Sequence, residues 1–344
     1  MPPVLVTGAG GWLGRRLIAA LAGEHAGLAA VEPDAAIRCL LLARDDPKPL
    51  LELSPRVEIQ TGDLRRADDV RAFCRGAEGS LLFHCAGVIH PRLLTREFSE
   101  VNVAGSARLL DTALMCGVAR VVVMSSNSPL GTNPDREHRF DESSPYRPYL
   151  GYGRSKMQLE RLVAARPELD AVIVRAPWFY GPAQPARQTE FFRMIRRGRI
   201  PLVGDGGNQR SMAYVDNVCR GLLLCAQTPR ARGETYWIAD ERPYAMSEII
   251  DTVEQVMSRD FGIEISGKRL RLPNLTSELA LAGDRLLQSA GLYVQKLHVL
   301  SEMNKNIACT IAKAQRDLGY APEVELEEGM RRSIDWCLRH EVSL

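Results

Sequence analysis

The sequence predicts an α/β fold built on a doubly wound, parallel sheet. The first observation is that short apolar runs typical of strands alternate with helix-like segments from residue 4 to residue 176. Such alternation indicates parallel strands, because the return to a parallel strand needs a crossover, usually a helix. The second observation is a glycine-rich turn directly after the first strand. After residue 176 the alternation ends, and proline and glycine interrupt the chain.

The composition is that of an ordinary globular protein. The 344 residues are 45% hydrophobic and 25% charged, and the chain is long enough for one large core and a smaller second one. The net charge of +2 gives no reason to expect nucleic acid or an anionic membrane as a partner. No stretch approaches the roughly 18 apolar residues of a membrane span, so we expect no membrane insertion.

Eight cysteines are scattered along the chain without CxxC spacing or a nearby histidine cluster. We therefore expect neither a disulfide framework nor a metal site. Free thiols suit a reducing compartment, and no basic leader precedes the first apolar run, so we expect a cytoplasmic protein.

The first strand, residues 4–6, runs through Thr7 into a glycine-rich turn and then a helix at residues 15–21. The turn reads Gly8-Ala9-Gly10-Gly11-Trp12-Leu13-Gly14. Glycines permit a tight turn and a close backbone approach, and the start of the helix presents free N–H groups to a pyrophosphate. Because a strand precedes the turn and a helix follows it, the pattern predicts a dinucleotide site rather than a plain tight turn.

The second strand, residues 39–42, ends in Ala43-Arg44-Asp45. In NAD sites an acidic side chain at this strand end binds the ribose hydroxyls, whereas a small residue followed by arginine suits a 2′-phosphate. The pattern therefore favours NADP over NAD. In the alternative, Arg44 is only a solvated charge and Asp45 contacts the ribose.

The third and fourth strands are predicted at residues 57–59 and 80–84. Gly62-Asp63-Leu64 follows the third strand, and its carboxylate could accept a hydrogen bond from an adenine amino group. Ala86 and Gly87 follow the fourth strand, where small residues would let the backbone lie against a cofactor. His84 lies within an apolar strand, and we interpret it as a core histidine.

A helix at residues 98–116 and a fifth strand at residues 120–124 come next. Ser125, Ser126 and Asn127 stand at the end of that strand, and ligands bind at the carboxyl ends of strands in a doubly wound sheet. A serine there can hydrogen-bond a substrate oxygen, although serine also commonly begins a turn. The polar segment 127–150 predicts a functional flap or a disordered loop.

Tyr152 and Lys156 are four residues apart in a helix that continues to residue 164, before a sixth strand at residues 171–174. Helical spacing puts the phenol and the ammonium on one face. A cation beside a tyrosine favours the phenolate and lowers its pKa, so the pair could exchange a proton with a substrate hydroxyl or carbonyl. The alternative is a solvated helix face.

The carboxy-terminal half carries many arginines after a Pro177-Trp178-Phe179-Tyr180-Gly181-Pro182 segment. Clustered arginines suit a phosphate or carboxylate, although residues 193–199 could equally be a solvated helix face. Arg210 lies between a glycine-rich turn and a strand-like run at residues 212–215, which favours a ligand-binding role. Further helices are predicted at residues 247–257 and 324–338, with a strand at residues 235–238.

Taken together, these stretches resemble the extended short-chain dehydrogenase/reductase family, of the NAD-dependent epimerase/dehydratase type, over essentially the whole chain. The matching motifs are Thr7-Gly8-Ala9-Gly10-Gly11-Trp12-Leu13-Gly14, Gly62-Asp63-Leu64, Asn102 in Val-Asn-Val-Ala-Gly, Ser125-Ser126, Tyr152-Gly153-Arg154-Ser155-Lys156, Arg175-Ala176-Pro177, Tyr180-Gly181-Pro182, Tyr214-Val215-Asp216-Asn217 and Leu318-Gly319-Tyr320.

The resemblance implies a Rossmann-like cofactor domain, residues 1–176 plus about 211–240, and a smaller discontinuous α/β substrate domain, about 177–210 and 241–344. It implies that Tyr152 is the general acid/base, that Lys156 lowers its pKa and binds the nicotinamide ribose, and that Ser126 orients the substrate oxygen. The implied cofactor-binding residues are Thr7, Gly8, Gly11, Trp12, Leu13, Gly14, Arg44, Asp63, Leu64, Ala86, Gly87, Tyr152, Lys156, Pro177 and Phe179. The implied substrate-binding residues are Ser126, Asn127, Trp178 and Arg210.

The resemblance also implies a homodimer formed through the helices at residues 98–116 and 152–165. The substrate stays open between a nucleotide-diphosphate sugar, with Arg210 on the phosphates, and a steroid-like or flavonoid-like alcohol, with Trp178, Phe191 and Phe192 as an apolar wall. The 4,6-dehydratase branch is a poor match, because Ser126-Asn127-Ser128 replaces its Thr-Asp-Glu. A non-catalytic NADP-binding regulator is the alternative outside enzymes, and it would be expected to lack the Ser-Tyr-Lys set that this chain retains.

Overall fold

The computed structural model describes residues 1–23 and 33–344. Its strands are β1 Val4–Thr7, β2 Ile37–Leu41, β3 Val57–Thr61, β4 Leu81–His84, β5 Arg120–Met124, β6 Ala171–Arg175, β7 Trp178–Tyr180, β8 Pro201–Val203, β9 Gln209–Arg210, β10 Met212–Tyr214, β11 Thr235–Trp237, β12 Tyr244–Ala245 and β13 Leu270–Leu272. Seven of them form one sheet in the order β11-β6-β5-β4-β1-β2-β3, in which every pairing is parallel. The doubly wound α/β fold is thereby confirmed.

The helices are α1 Trp12–Leu21, α2 Lys48–Leu51, α3 Ala67–Phe73, α4 Ser106–Met115, α5 Leu150–Ala164, α6 Ala186–Arg196, α7 Val215–Gln227, α8 Met246–Gln255, α9 Leu275–Ser289, α10 Gln295–Glu302, α11 Ala312–Leu318 and α12 Leu326–Arg339. Strands β5 and β6 are buried at every residue, because helices cover both faces of the sheet. Their runs of valine and isoleucine are therefore continuous rather than alternating with polar residues.

Several predicted elements differ from the structure at their ends. The helix expected at residues 98–116 begins as a wider π-helical segment, Phe98–Gly105, and continues as α4. The strand expected at residues 212–215 ends at Tyr214, and Val215 begins α7. The buried residues of α7 include Val218, Leu222 and Cys225, which recur at helical spacing, so the sequence did carry a signal for this helix.

The long segment between β5 and α5 is anchored to the carboxy-terminal half of the chain. The Asn133 side chain donates to the Ala308 carbonyl over 3.0 Å and accepts the Ala308 N–H over 2.7 Å. The backbone N–H of Phe140 donates to the same carbonyl over 2.8 Å. These contacts do not fit a disordered loop, and the functional flap stays a prediction.

The buried side chains form separate clusters that place the site between them. Two clusters cover the two faces of the large sheet. Another packs α6, α8 and α12 against β7 and β10, and Phe192, Ile250 and Ile334 are among its members. The carboxyl ends of β1, β4, β5 and β6 face this last group of elements, which is where the predicted site residues come together.

Candidate functional site

The glycine-rich turn packs so tightly that side chains cannot replace Gly8 or Gly14. Gly8 has φ +72°, and a Cβ there would lie 2.6 Å from the backbone nitrogen of Ala86. A Cβ on Gly14 would lie 2.2 Å from the carbonyl oxygen of Gly8. The turn therefore lies against the end of β4 and leads directly into α1, whose first N–H groups have no partner within the helix. This cradle is suited to a pyrophosphate.

Several predicted cofactor residues have side chains that serve the core. The Thr7 hydroxyl is 2.8 Å from His84 Nδ1 and accepts the Ala86 N–H over 3.3 Å, which ties the ends of β1 and β4 together. His84 Nε2 is 2.8 Å from the Ser106 hydroxyl, and burial lowers the pKa of His84 to about 3. Leu13 and Leu64 are also buried. These side chains shape the cradle, so His84 is a core histidine as interpreted.

The end of β2 brings Arg44 close to Asp63. Asp63 is held by Arg65, whose Nη2 lies 2.6 Å from Oδ2, and this contact lowers the pKa of Asp63, with a smaller contribution from the Arg44 charge. Asp45 accepts the Leu42 N–H over 3.2 Å. Both carboxylates at this edge therefore already have protein partners, whereas Arg44 makes no hydrogen bond or ion pair within residues 1–23 and 33–344.

Lys156 is buried at the end of β5. Its Nζ donates to the Met124 carbonyl over 2.9 Å, and a Cβ on Gly87 would lie 3.2 Å from Nζ, so Gly87 packs closely on the ammonium. Burial lowers the pKa of Lys156 to about 8. Asn102 clamps the loop after β4, since its amide accepts the Val88 N–H over 2.7 Å and donates to the Val88 carbonyl over 2.8 Å.

Tyr152 lies beside this lysine in α5, with its ring packed against Phe98 at a centroid distance of 6.1 Å. Burial raises the pKa of Tyr152 to about 12, against the lowering effect of the Ser126 hydroxyl and the Arg187 charge. Lys156 makes no contribution to this pKa in the chain alone, and its expected lowering of the pKa stays a prediction for the cofactor-bound protein. The ring is removed from water, and the lysine ammonium is directed at the Met124 carbonyl instead.

The two serines after β5 have different surroundings. The Ser125 hydroxyl donates to Glu160 Oε1 over 2.5 Å. The Glu160 carboxylate also forms a buried ion pair with Arg175. The Ser126 hydroxyl donates to the Asn127 side chain over 3.2 Å and lies close enough to Tyr152 to affect its pKa. Of the pair, Ser126 is the serine available to a substrate oxygen.

Comparison with known proteins supports the same reading of these motifs. Residues 4–239 match the model of the NAD dependent epimerase/dehydratase family. The chain belongs to this family. It is 51% identical to the uncharacterised protein y4nL of Sinorhizobium fredii over 98% of this chain and 96% of that protein.

Two further relatives have more specific descriptions. A 4-hydroxy-2-methyl-3-oxo-4-farnesyl-3,4-dihydroquinoline-1-oxide ketoreductase of Stigmatella aurantiaca is 27% identical, over 94% of this chain and 93% of its own. The structure of a dTDP-glucose 4,6-dehydratase of Streptomyces venezuelae, solved with NAD bound, is 25% identical with a TM-score of 0.75, over 98% of each chain. This chain is thus similar to epimerases, dehydratases and dehydrogenases that depend on NAD.

In this epimerase/dehydratase family member, the glycine-rich turn meets the segment after β6. Trp12 Nε1 donates to the Pro182 carbonyl over 2.7 Å, and the Trp12 ring packs edge-on to Phe179 at 6.3 Å. The structure therefore brings the predicted cofactor residues Trp12 and Phe179 together. Pro177 directly precedes β7, which carries Phe179.

The predicted apolar wall is mostly core. Phe191 and Phe192 are buried in the cluster around α6, α8 and α12. Trp178 packs edge-on to Phe191 at 5.3 Å, and its Nε1 donates to the Gln188 side chain over 3.2 Å. The prediction that these three rings face a substrate is therefore wrong for Phe191 and Phe192, because α6 turns both inward.

Arg210 is positioned by the end of α10 rather than standing free. Its Nη2 donates to the Glu302 carbonyl over 2.7 Å, while its buried Nε has no hydrogen-bond partner. Burial lowers the pKa of Arg210, and the charges of Glu302 and Tyr149 oppose that effect. Its predicted role at a phosphate would have to use the remaining guanidinium N–H groups.

Sequence reasoning missed the residues that α9 and α10 bring to the catalytic tyrosine. Tyr293 lies between these helices, 6.0 Å from Phe98, and its hydroxyl lies 2.5 Å from His90 Nδ1. Asp284, Gln288 and His298 form a buried hydrogen-bonded chain behind it. No motif marks these positions, which follow the tyrosine by more than 130 residues. His90 alone had a signal, since it follows the fourth strand closely at the ligand-binding edge.

Across residues 1–23 and 33–344, no three or more His, Cys, Asp or Glu side chains converge in an arrangement that could hold a metal ion. In the same part of the chain, every helix is too short or too polar to cross a membrane.

Proposed function

We propose that the chain is an NAD(P)-dependent oxidoreductase or epimerase acting at a secondary alcohol or ketone carbon. The observation that carries this proposal is the convergence of Tyr152, Lys156 and Ser126 with the glycine cradle at the carboxyl ends of β1, β4 and β5. A nicotinamide dinucleotide, when bound, supplies the acceptor or donor of hydride. The tight turn that Gly8 and Gly14 permit, and the start of α1 that follows it, fit the pyrophosphate of such a group.

Each member of the catalytic set has a distinct role in the proposal. Tyr152 gives a proton to the substrate oxygen during reduction and takes it back during oxidation. Ser126 hydrogen-bonds the same oxygen and holds it beside the phenol. Lys156 binds the nicotinamide ribose and supplies a positive charge near the tyrosine, which the high pKa of Tyr152 makes necessary for proton transfer at neutral pH.

We further propose that NADP is preferred over NAD. Arg44 is an exposed arginine without an ion-pair partner in the described chain, whereas Asp45 and Asp63 are engaged by the Leu42 N–H and by Arg65. A free guanidinium suits a 2′-phosphate. Arg44→Ala should therefore weaken NADPH binding about tenfold or more and leave NADH binding within twofold, as measured by fluorescence titration. Equal losses for both cofactors would contradict the preference.

For the substrate we favour a nucleotide-diphosphate sugar, handled by epimerisation or simple redox. Phe191 and Phe192 are taken up by the core, which removes much of the apolar wall that a steroid-like substrate would need. Arg187 makes no hydrogen bond or ion pair within the described residues, yet its charge reaches Tyr152 and Tyr293. A cation there suits an anionic substrate. The similarity to a dTDP-glucose dehydratase supports the same class.

An apolar ketone is the second candidate, because a related ketoreductase acts on a farnesyl-bearing quinoline oxide. Thermal-shift measurements with UDP, GDP and dTDP separate the two candidates. We expect at least one nucleotide diphosphate to raise the Tm by several degrees at saturating concentration. No response to any of the three would exclude the nucleotide sugar and favour the apolar ketone.

The catalytic assignment is tested by Tyr152→Phe, which removes only the hydroxyl. We expect the turnover rate to fall at least about 100-fold, because the proton donor is lost. Cofactor affinity should stay within about twofold, since the ring still packs against Phe98. A variant that keeps the wild-type rate would refute the role of Tyr152.

A further inference from the structure

The hairpin of α9 and α10 packs against the first turn of the catalytic helix α5. The backbone N–H of Gly151, the residue before Tyr152, donates to Gln288 Oε1 over 2.9 Å. Gln288 lies in α9, far from α5 in sequence, and is buried. A side chain from a distant helix therefore caps the start of the helix that carries the proposed acid/base.

The start of α5 needs such a partner, because the first N–H groups of a helix have no acceptor within it. Tyr149, which precedes α5, provides no side-chain cap. Leu150 adds strain at the same place, since it has φ +52°, a left-handed conformation that is unfavourable for a leucine. The Gln288 contact comes one residue after this strained position and one residue before Tyr152.

Gln288 is itself held by a buried polar chain. Its Nε2 donates to Asp284 Oδ1 over 2.9 Å, and the other Asp284 oxygen lies 2.7 Å from His298 Nδ1. Asp284 is fully buried and His298 nearly so. Such a chain fixes the rotamer of Gln288, because each buried polar group would otherwise lose its partner.

The contact also depends on the glycine at position 151. A Cβ there would lie 2.8 Å from Gln288 Oε1 and 3.0 Å from the Phe98 ring. The same hairpin contacts the Tyr152 ring indirectly, since Tyr293 packs on Phe98 and Phe98 packs on Tyr152. The α9–α10 hairpin thus fixes the position of both the Gly151 backbone and the Tyr152 ring.

We propose that Gln288 is a positioning residue for Tyr152, and that it holds the first turn of α5 in the geometry that proton transfer requires. The proposal rests on the proposed function, since it assumes that Tyr152 is the acid/base. Small displacements of a reacting group are costly in rate, because proton transfer needs hydrogen-bond distance to the substrate oxygen.

The test compares three variants of the full-length chain. Gln288→Leu removes the acceptor, Gln288→Glu retains an acceptor for the Gly151 N–H, and Gln295→Leu is a matched control on the exposed start of α10. The glutamate would lie beside the buried Asp284 carboxylate, so one of the two carboxyls takes a proton, and that proton restores the hydrogen bond that Gln288 Nε2 donates. In the NADPH-bound protein without substrate, we expect amide hydrogen exchange at Gly151 to be about tenfold faster in Gln288→Leu and unchanged in Gln295→Leu.

The kinetic part of the test uses the substrate that the wild-type enzyme turns over. We expect kcat of Gln288→Leu to fall about tenfold, with KM and the NADPH Kd within about twofold, and Gln288→Glu to recover most of kcat. A purely structural role would lower Tm without separating kcat from KM and would not distinguish leucine from glutamate.

Two results would overturn the proposal. Unchanged exchange at Gly151 in Gln288→Leu would show that the cap does not restrain α5, whatever the role of Tyr152. Equal losses of kcat in Gln288→Leu and Gln288→Glu would show that packing, not the accepted hydrogen bond, is what matters. Failure of the proposed function is seen separately, as an active Tyr152→Phe variant.

Discussion

At the residue scale, the clearest prediction concerns the pH dependence that Lys156 causes, because its buried ammonium titrates close to neutral pH. Burial lowers the pKa of Lys156 to about 8, with the charges of Cys85 and Glu160 acting in the opposite direction. Tyr152, with its pKa raised to about 12 by burial, keeps its proton over the whole accessible range. Of these two groups, only Lys156 changes its charge state near pH 8.

The rate of ketone reduction should therefore decline as pH rises through about 8. The proton donor Tyr152 stays protonated there, while the positive charge at Lys156 is lost. The measurement is a kcat profile against pH with saturating substrate. Lys156→Arg is the control, because a guanidinium keeps its charge, so any activity it retains should show no such decline. A wild-type rate that stays constant to about pH 10 would contradict this role of Lys156.

The lowered pKa of Lys156 has the opposite effect on stability as pH rises. The folded-state pKa lies below the ordinary lysine value of 10.5, so the unfolded chain binds the proton more readily between about pH 8 and 10.5. The contribution of Lys156 to the free energy of unfolding should rise with pH across that window. Activity and this part of stability are thus expected to change in opposite directions.

Much at the residue scale could be predicted from the sequence, and part could not. The Tyr152–Lys156 spacing, the glycine turn and the serine at the end of β5 follow from local motifs, and the structure brings them together. The direction of the Tyr152 pKa shift could not be predicted, because it depends on the burial of the ring and on the charges of Arg187 and Glu302, which only folding brings near it. Gln288 and Asp284 could not be found either, since nothing local in sequence links them to position 151.

At the scale of elements, a buried ion pair joins α5 to β6. Arg175 Nη2 lies 2.7 Å from Glu160 Oε2, and the Ser125 and Tyr146 hydroxyls also donate to this carboxylate. Neither charged side chain is appreciably exposed. The carboxylate therefore holds the catalytic helix, the end of β5 and the loop before α5 in one arrangement.

Removing this carboxylate should be costly. We expect Glu160→Ala to lower the free energy of unfolding by about 3–5 kcal/mol, because Arg175 is left as an unpaired buried charge. Asp335→Ala, which breaks an exposed i,i+4 pair with Arg339, should cost below about 1 kcal/mol. Urea unfolding followed by circular dichroism measures both. Similar small losses in the two variants would show that the buried pair does not stabilise the fold.

Elements were predictable where hydrophobic periodicity is strong and local. All six strands expected before residue 176 are present, and the helix of Tyr152 continues as far as expected. The division of residues 98–116 into a π-helical segment and α4 was not predictable, because hydrophobic spacing does not distinguish the two helix types. Short elements such as β9 and β12 are set by tertiary pairing with each other.

At the scale of the whole molecule, the site is assembled from both ends of the chain. The glycine turn lies near the amino terminus, the catalytic helix near the middle, and the α9–α10 hairpin in the last quarter. We propose that the predicted cofactor and substrate domains meet at this site. Local motifs explain why the cofactor side was predictable, whereas the substrate side depends on contacts that form only on folding.

We also propose that the chain forms a homodimer through the helical segments at residues 98–116 and 152–165, as the family resemblance implies. The Arg166 guanidinium beside the end of α5 contacts Asp111 of α4 over 2.6 Å, which ties the two segments to each other. Light scattering after size exclusion should give twice the 38.1 kDa chain mass. A particle of the single-chain mass at micromolar concentration would contradict the dimer.

The central claim, hydride transfer supported by Tyr152, is tested most directly by following deuterium from the reacting carbon. The measurement uses a substrate deuterated at its carbinol carbon and locates the label by mass spectrometry. We expect the deuterium in the nicotinamide ring after simple redox, or retained in the product after epimerisation. We expect Tyr152→Phe to abolish this transfer of the label. Deuterium released to water, or transferred equally fast by Tyr152→Phe, would contradict the account.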